Sequence, residues 1–207
     1  MAALLIRDSE HGFRKGRSCV TNLLLFLDRI LRFVDEGFCI DILYLAKAFD
    51  KVPHQRLLDK LRKHGIGGKL LRTIGNWLGL SKRRQRVCVT GVKSTWEEVC
   101  CGVPQGSVLG PLMFLIYIND LEEDVVTKVF KFADDTKLFR QVSDTVDAVG
   151  MQEDLDRLVE WADKWQMQFN VSKCKVMHVW KKNPRHPYYM SSNGLKSVKV
   201  EKDLGII

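Results

Sequence analysis

Two adjacent acids, Asp134 and Asp135, interrupt a pair of apolar runs at residues 128–133 and 136–142. Neighbouring like charges repel, so an apolar setting for them requires compensating cations. A divalent metal is one solution, because Mg2+ favours one or two carboxylates together with phosphate oxygens of a substrate. The other reading is a plain polar turn between two strands, which Asp-Asp also suits. A second candidate is Gly102-Val103-Pro104-Gln105-Gly106-Ser107, which leads into a strongly apolar stretch. A glycine-rich turn ahead of a helix can bring backbone N–H groups close to phosphate. It lacks the Gly-Lys-Ser/Thr of a phosphate loop, and its glycines serve equally as turn formers. The third candidate is residues 51–86, with eleven basic side chains against the single acid Asp59. That segment carries +10 in a chain of net +8, so the remainder is slightly acidic. Such asymmetry fits a phosphate-backbone footprint, with a flexible loop around Ser81 to Arg84 as the competing reading.

These residues need elements to hold them. Residues 18–35 repeat apolar side chains at Leu23, Leu24, Leu27, Ile30, Leu31 and Val34, a helical period that Ser18 can cap and Gly37 can stop. Residues 39–45 read as a mostly buried strand. Helices are expected over 54–63 and about 68–79, the second with Leu70, Leu71, Ile74, Trp77 and Leu78 inward. Two short β runs around Gly91 suggest a hairpin. Residues 107–121 look helical and buried, although Gly110-Pro111 blurs the start. The two runs around Asp134-Asp135 suggest a second hairpin. The longest helical signal covers 144–169, with Val149, Leu155, Leu158, Val159, Ala162 and Trp165 inward. A strand at 173–180 and a hairpin turn at Asn193-Gly194 close the chain. Strands and helices interleave without a strict βαβ repeat, which points to an α+β fold.

Composition narrows the class. With 45% hydrophobic and 28% charged residues the chain is an ordinary globular protein. Six scattered cysteines without Cys-x-x-Cys argue against a disulfide framework and a zinc knuckle, and for a reducing, intracellular setting. The longest apolar run, 108–118, is far short of the ~20 residues that cross a membrane. No signal peptide is read at the start, where Arg7, Asp8 and Glu10 break the apolar run. The expected location is cytoplasmic or nuclear.

Taken in order, the pieces resemble the reverse-transcriptase domain of LINE-type, non-LTR, jockey-like retrotransposons. His11-Gly12-Phe13-Arg14-Lys15-Gly16-Arg17-Ser18 is similar to the family's fingers motif. Ala46-Lys47-Ala48-Phe49-Asp50-Lys51-Val52-Pro53-His54 resembles the second half of its first palm motif. Residues 102–112 resemble the Pro-Gln-Gly motif, and Phe132-Ala133-Asp134-Asp135 the metal-binding hairpin. Trp161 to Trp165, Lys173-Cys174-Lys175 and Asp203-Leu204-Gly205 resemble the motifs that follow. The resemblance implies a right-hand polymerase with an antiparallel palm sheet backed by helices. It divides the chain into partial fingers at 1–38, a palm at 39–180 containing a basic segment at 51–101, and the end of the palm at 181–207, with no thumb. Asp134 and Asp135 would be catalytic metal ligands for Mg2+, with Mn2+ as a substitute. Phe49, Gln105, Gly106 and Lys173 would lie at the incoming nucleotide. Arg62, Lys63, Lys82, Arg83, Arg84 and Arg86 would meet nucleic acid. The partners implied are an RNA template, a DNA primer and deoxynucleotide triphosphates, with no membrane.

One departure matters most. The family's motif reads Tyr-Leu-Asp-Phe-(Ala/Ser)-Lys-Ala-Phe-Asp, and its first Asp binds both metals, whereas this chain reads Tyr44-Leu45-Ala46-Lys47-Ala48-Phe49-Asp50. Asp and Phe are missing, and counting back from Phe49 lands on Tyr44. Asp41 lies about 10 Å further along an extended strand, and Asp50 lies beyond the motif's turn. A two-residue deletion preserves strand parity. The expectation is a polymerase fold with impaired or absent chemistry, against the alternatives of a non-catalytic nucleic-acid-binding remnant or a decayed reading frame.

Overall fold

Ser18 starts the first helix as its position suggests: its hydroxyl accepts the N–H of Thr21, and the Thr21 hydroxyl accepts the N–H of Ser18. In the computed structural model, residues 6–47, 49–80 and 82–206 are described, those of Phe49 and Leu80 by their backbone alone. In chain order the elements are α1 (Cys19–Asp35), β1 (Ile40–Ala46), α2 (His54–Lys63), α3 (Gly68–Gly75), the short strands β2 (Arg84–Gln85), β3 (Cys88–Val89), β4 (Val92–Lys93) and β5 (Glu97–Glu98), then α4 (Leu109–Tyr117), β6 (Lys128–Phe132), β7 (Asp135–Gln141), α5 (Thr145–Trp165), β8 (Lys175–Val179), β9 (Tyr189–Met190), β10 (Asn193–Gly194) and β11 (Lys196–Val198). They fall into two units. A sheet unit holds residues 7–48, 120–164 and 168–207, and a helical unit holds 1–6, 49–119 and 165–167.

The sheet unit is built on five strands in the order β11-β8-β1-β7-β6. β1 is central and pairs antiparallel with β7 and β8. The edge strand β11 runs parallel to β8, so an otherwise antiparallel sheet has one parallel border. The long return between them makes this possible, since a parallel partner needs a crossover. Alternation on β1 divides its side chains between two layers. Ile40 and Ile42 join Phe26 and Ile30 of α1, with Phe26 edge-on to Phe130 and Phe139 at 5.6 and 5.8 Å. Leu43 and Leu45 join Met151, Leu155 and Leu158 of α5 on the other face. Each fully buried leucine contributes about 2 kcal/mol.

In the helical unit α2 packs against α3 and α4, with Leu57, Leu58, Leu61, Phe114 and Leu115 buried. Lys60 is buried with them: its ammonium donates to the Tyr117 carbonyl and lies 3.9 Å from the Trp165 ring centre. A charge counted in the basic segment is therefore a core anchor. The hairpin expected around Gly91 is present, closed by Thr90 and Gly91 at φ 47° and 85°, and its strands are exposed.

Several expectations are corrected. Leu24, Leu27 and Leu31 face solvent, while Asn22 and Phe26 are buried. α1 is apolar on more than one side, and only the sheet decides which side is covered. Val149 and Leu70 are likewise exposed. α3 stops at Gly75. Asn193-Gly194 forms a strand paired with Tyr189–Met190, and the turn falls one step earlier at Ser191-Ser192, with Ser191 at φ 55°. Among the described residues, no helix is long and apolar enough to cross a membrane.

Candidate functional site

The β6–β7 register pairs Phe132 with Asp135, leaving Ala133 and Asp134 as the turn. Ala133 sits at φ 55°, a conformation that costs a non-glycine residue about 1 kcal/mol. The cost is met locally. Glu10, 1% exposed, accepts the N–H of Ala133 at 3.0 Å and the N–H of Gly12 at 2.6 Å through the same oxygen. Its segment is bonded along β6, with His11 N–H to the Lys131 carbonyl and Lys131 N–H to the Ser9 carbonyl. Gly12 lies so close that a Cβ would stand 2.8 Å from the Ala133 nitrogen. The turn carrying the two acids is therefore clamped from behind.

What faces this turn from β1 decides its chemistry. The ladder pairs Ala46 with Asp135, Leu45 with Thr136 and Tyr44 with Lys137. Lys47 continues the contact, its N–H donating to the Asp134 carbonyl at 3.1 Å. The register thus sets Ala46, and not Tyr44, opposite Asp135. Strand parity puts Ala46 on the same face as Tyr44 and Asp135 on the same face as Lys137. All four line one cavity of about 200 Å3, together with Lys173, Lys175, Glu201 and Asp203.

The nearest acid upstream on β1 is spoken for. Asp41 is fully buried and accepts from Tyr188 Oη at 2.6 Å and Asn183 Nδ2 at 2.8 Å, with His178 Nδ1 at 2.7 Å. It pairs with Arg140 in the ladder, five residues and about 16 Å from Ala46. Asp50 lies in the helical unit, in a one-turn helix over Phe49–Lys51.

Cations already surround the acid pair. Lys47 is buried, and burial, reinforced by Lys131, pushes its ammonium down to about 7, against the pull of Glu10, Asp134 and Asp135. Lys137, 3% exposed at its side chain, donates to Asp203 Oδ2 at 2.7 Å and Asn22 Oδ1 at 2.8 Å. Asp135 is exposed, yet the protein around it removes part of its hydration. That loss first, and then Asp134 and Asp203, raise its carboxyl above the usual range, with Lys47 and Lys137 opposing. Among the described residues, no group of three or more His, Cys, Asp or Glu is placed to hold a metal ion.

The helical unit carries the other candidate residues. Lys51, Arg83, Arg84 and Gln105 line one open groove of about 760 Å3. Gly102, at φ 85°, lets that loop approach Asp50, whose backbone would stand 3.0 Å from a Cβ there. Ser107, one residue ahead of the N-cap Val108, accepts the N–H of Gly110 at 2.9 Å, and Pro111 lies in the first turn of α4. Gln105 and Gly106 are exposed. Arg84 donates to the Trp96 carbonyl and Arg86 lies 4.5 Å from the Trp96 ring centre. Arg62 pairs with Asp59 at 2.8 Å, Lys63 lies 5.2 Å from the Trp165 ring centre, and Lys82 is exposed. Lys173 is exposed at the cavity of Asp135. The side chain of Phe49 lies outside the described residues.

Glu10, Lys47, Lys137 and Asp203 were not singled out from sequence as neighbours of the acid pair. A signal existed for the lysines: Lys47, Lys131 and Lys137 are charges inside apolar strand runs, where an unpaired charge is costly. Glu10 and Asp203 arrive from distant chain; Asp203 belongs to the Asp203-Leu204-Gly205 motif, but nothing local ties either residue to the acid pair.

Comparison with known proteins places this arrangement. A family model described as reverse transcriptase (RNA-dependent DNA polymerase) matches residues 2–201. The chain is 31% identical to the "Probable RNA-directed DNA polymerase from transposon X-element" of Drosophila melanogaster, over 97% of this chain and 23% of that protein. It is 34% identical to the RNA-directed DNA polymerase from mobile element jockey of the same organism, over 63% of this chain and 15% of the relative. The chain thus spans less than a quarter of these relatives. Its fold is similar to apo telomerase from Candida tropicalis, with TM-score 0.57, 8% identity and coverage of 96% of this chain and 36% of the other. It is also similar to Candida albicans telomerase in complex with an RNA fragment, with TM-score 0.56, 12% identity and coverage of 88% and 33%. At such identities the structural likeness speaks to fold alone.

Proposed function

The chain belongs to the reverse transcriptase family of non-LTR retrotransposons, and from that premise we propose that it is a polymerase domain whose nucleotidyl transfer has been lost or severely impaired, while its nucleic-acid surface persists. The observation that carries the reading is Ala46, which stands opposite Asp135 where the family's first palm motif supplies an acid. Reverse transcriptases are metal-dependent enzymes, and divalent metal held by acids such as Asp134 and Asp135 would supply Lewis-acid chemistry to phosphoryl transfer. The residues here do not fit such a metal site. Asp134 and Asp135 lack a third carboxylate partner on β1, Asp41 is saturated by hydrogen bonds, and Asp203 is held by Lys137. Mg2+ or Mn2+ would have to bind two carboxylates whose compensation already includes Lys47 and Lys137.

In this reading the sheet unit serves as the palm and the helical unit carries the nucleic-acid surface. The Lys51, Arg83, Arg84 and Gln105 groove, extended by Arg86 and Lys82, would engage an RNA template and DNA primer through phosphate contacts. Arg62 and Lys63 would add to it from the end of α2. By the resemblance, Gln105, Gly106 and Phe49 on the helical unit would contact an incoming deoxynucleotide triphosphate, and Lys173 is the sheet unit's own candidate for phosphate contact.

Primer extension on an RNA template with Mg2+ or Mn2+ tests the reading. No incorporation is expected from the chain as it stands, and some from a variant with Asp-Phe re-inserted after Leu45. Robust extension by the unaltered chain, abolished by Asp134→Asn, would overturn it. The persisting surface is tested by oligonucleotide binding against salt. Arg83→Ala and Arg84→Ala should each lower the slope of log K against log salt by about 1, and affinity indifferent to salt would remove the phosphate footprint.

A further inference from the structure

The cavity beside Asp135 contains two ion pairs that close it. Lys175 Nζ lies 2.6 Å from Glu201 Oε2, and Lys137 Nζ lies 2.7 Å from Asp203 Oδ2. Lys173 and Lys202 also line the cavity, so four lysines face Asp135, Glu201 and Asp203. The acids that answer those lysines arrive on one short stretch after β11. Among the described residues, the backbone hydrogen bonds of 200–206 are the reciprocal pair between Asp203 and Ile206. Side chains therefore tie this stretch to the sheet.

The two ties differ in kind. The Lys137–Asp203 pair is almost fully buried, and Asn22 also accepts from that ammonium. Breaking a buried pair leaves a stranded charge and costs several kcal/mol, so this tie acts as an anchor. The Lys175–Glu201 pair differs in its cation: the two acids are equally shielded, at 14% and 15%, but the Lys175 side chain is 30% exposed against 3% for Lys137. Partly exposed pairs are individually weak, so this tie can be exchanged for another anion.

We propose that Glu201 is an internal carboxylate latch over a lysine pocket formed by Lys175 and Lys173, and that a polyphosphate group competes with it for those lysines. The proposal rests on the reading of this cavity as the nucleotide side of a polymerase palm. With Glu201 seated, three acids offset three of the four lysines, and an approaching polyphosphate meets Asp135, Glu201 and Asp203. With Glu201 displaced, Lys175 and Lys173 stand free on one side of the cavity, presenting point charges suited to phosphate oxygens. Asp203 stays in place and keeps the stretch from leaving altogether.

Calorimetric titration with inorganic tripolyphosphate at low salt tests this on the full chain, without any need for activity. Glu201→Gln should bind three- to tenfold more tightly than the unaltered chain, and raised salt should shrink the gain. Adding Lys175→Ala to Glu201→Gln should abolish the gain. A thermal melt of each variant confirms that it is folded. Equal affinity of a folded Glu201→Gln and the unaltered chain would overturn the latch, as would a gain that survives loss of Lys175. A gain seen only with a single-stranded oligonucleotide, and not with tripolyphosphate, would overturn it too. None of these results depends on primer extension, so the latch and the loss of catalysis stand or fall separately.

Discussion

The two ends of β1 hold carboxylates in opposite circumstances. At one end Asp41 is buried and saturated, its oxygens shared among His178, Asn183 and Tyr188. At the other end Asp134 and Asp135 sit on a clamped turn, with Ala46 opposite and the pKa of Asp135 raised. The first end brings its own donors and is finished by folding alone. The second is held in place just as firmly, by Glu10 and Gly12, but at Asp135 the loss of hydration and the neighbouring acids Asp134 and Asp203 outweigh Lys47 and Lys137. A rigid support is common to both ends, and they differ in what faces the acids: hydrogen-bond donors at Asp41, Ala46 at Asp135.

If the comparison is right, the largest effect belongs to the closed end. Asp41→Ala should cost about 3–5 kcal/mol in a denaturant melt, because it strands the groups that converge on it. A loss below about 1 kcal/mol would mean that the network is not structural. Asp154 extends the closed class: burial would raise its carboxyl, but the N–H groups of Thr127 and Val126 and the Arg157 guanidinium outweigh burial and hold it low. Asp154→Asn should cost about 2 kcal/mol at neutral pH. A depressed folded value means that the contribution is complete above the ordinary 3.8 and fades as pH falls through the lower folded value. The gap between variant and parent should therefore close in acid, and a gap that widens there would contradict the assignment.

The open end should respond more weakly, and at its acid with a different sign. Gly12→Ala pushes a methyl against the Ala133 nitrogen and should cost about 1 kcal/mol while shifting the turn. Smallest of all, Asp135→Asn should leave stability unchanged or raise it by under about 1 kcal/mol. The raised pKa of Asp135 means that stability falls as pH rises through the folded value. The variant should flatten that part of the profile, and a marked destabilisation would place Asp135 with Asp41.

Much of this contrast could be read before folding. Ser18, the helical period over residues 144–169 and the two apolar runs around Asp134-Asp135 located α1, α5 and the β6–β7 hairpin, because capping, periodicity and turn chemistry are local. Register was harder. Tyr44 and Ala46 are both compatible with a strand whose motif is two residues short, and only pairing with β7 selects Ala46. The Asn193-Gly194 pair looked like a turn on its own preference, but strand pairing with Tyr189–Met190 pulled it into the ladder. Leu24, Leu27 and Leu31 share the helical period of α1 but not its buried side, because packing of Phe26 against Phe130 and Phe139 turns the other side to the sheet. The lysines and acids around Asp135 come together from four separate stretches, which no local pattern reports.

The central claim is that one side chain at position 46 separates this turn from a metal centre, and Mn2+ titration followed by electron paramagnetic resonance tests it directly. The chain as it stands should bind no Mn2+ more tightly than millimolar, and Ala46→Asp should create a site that Asp134→Asn removes. Tight binding by the unaltered chain, lost with Asp134→Asn, would show that the two remaining acids suffice and would contradict the account.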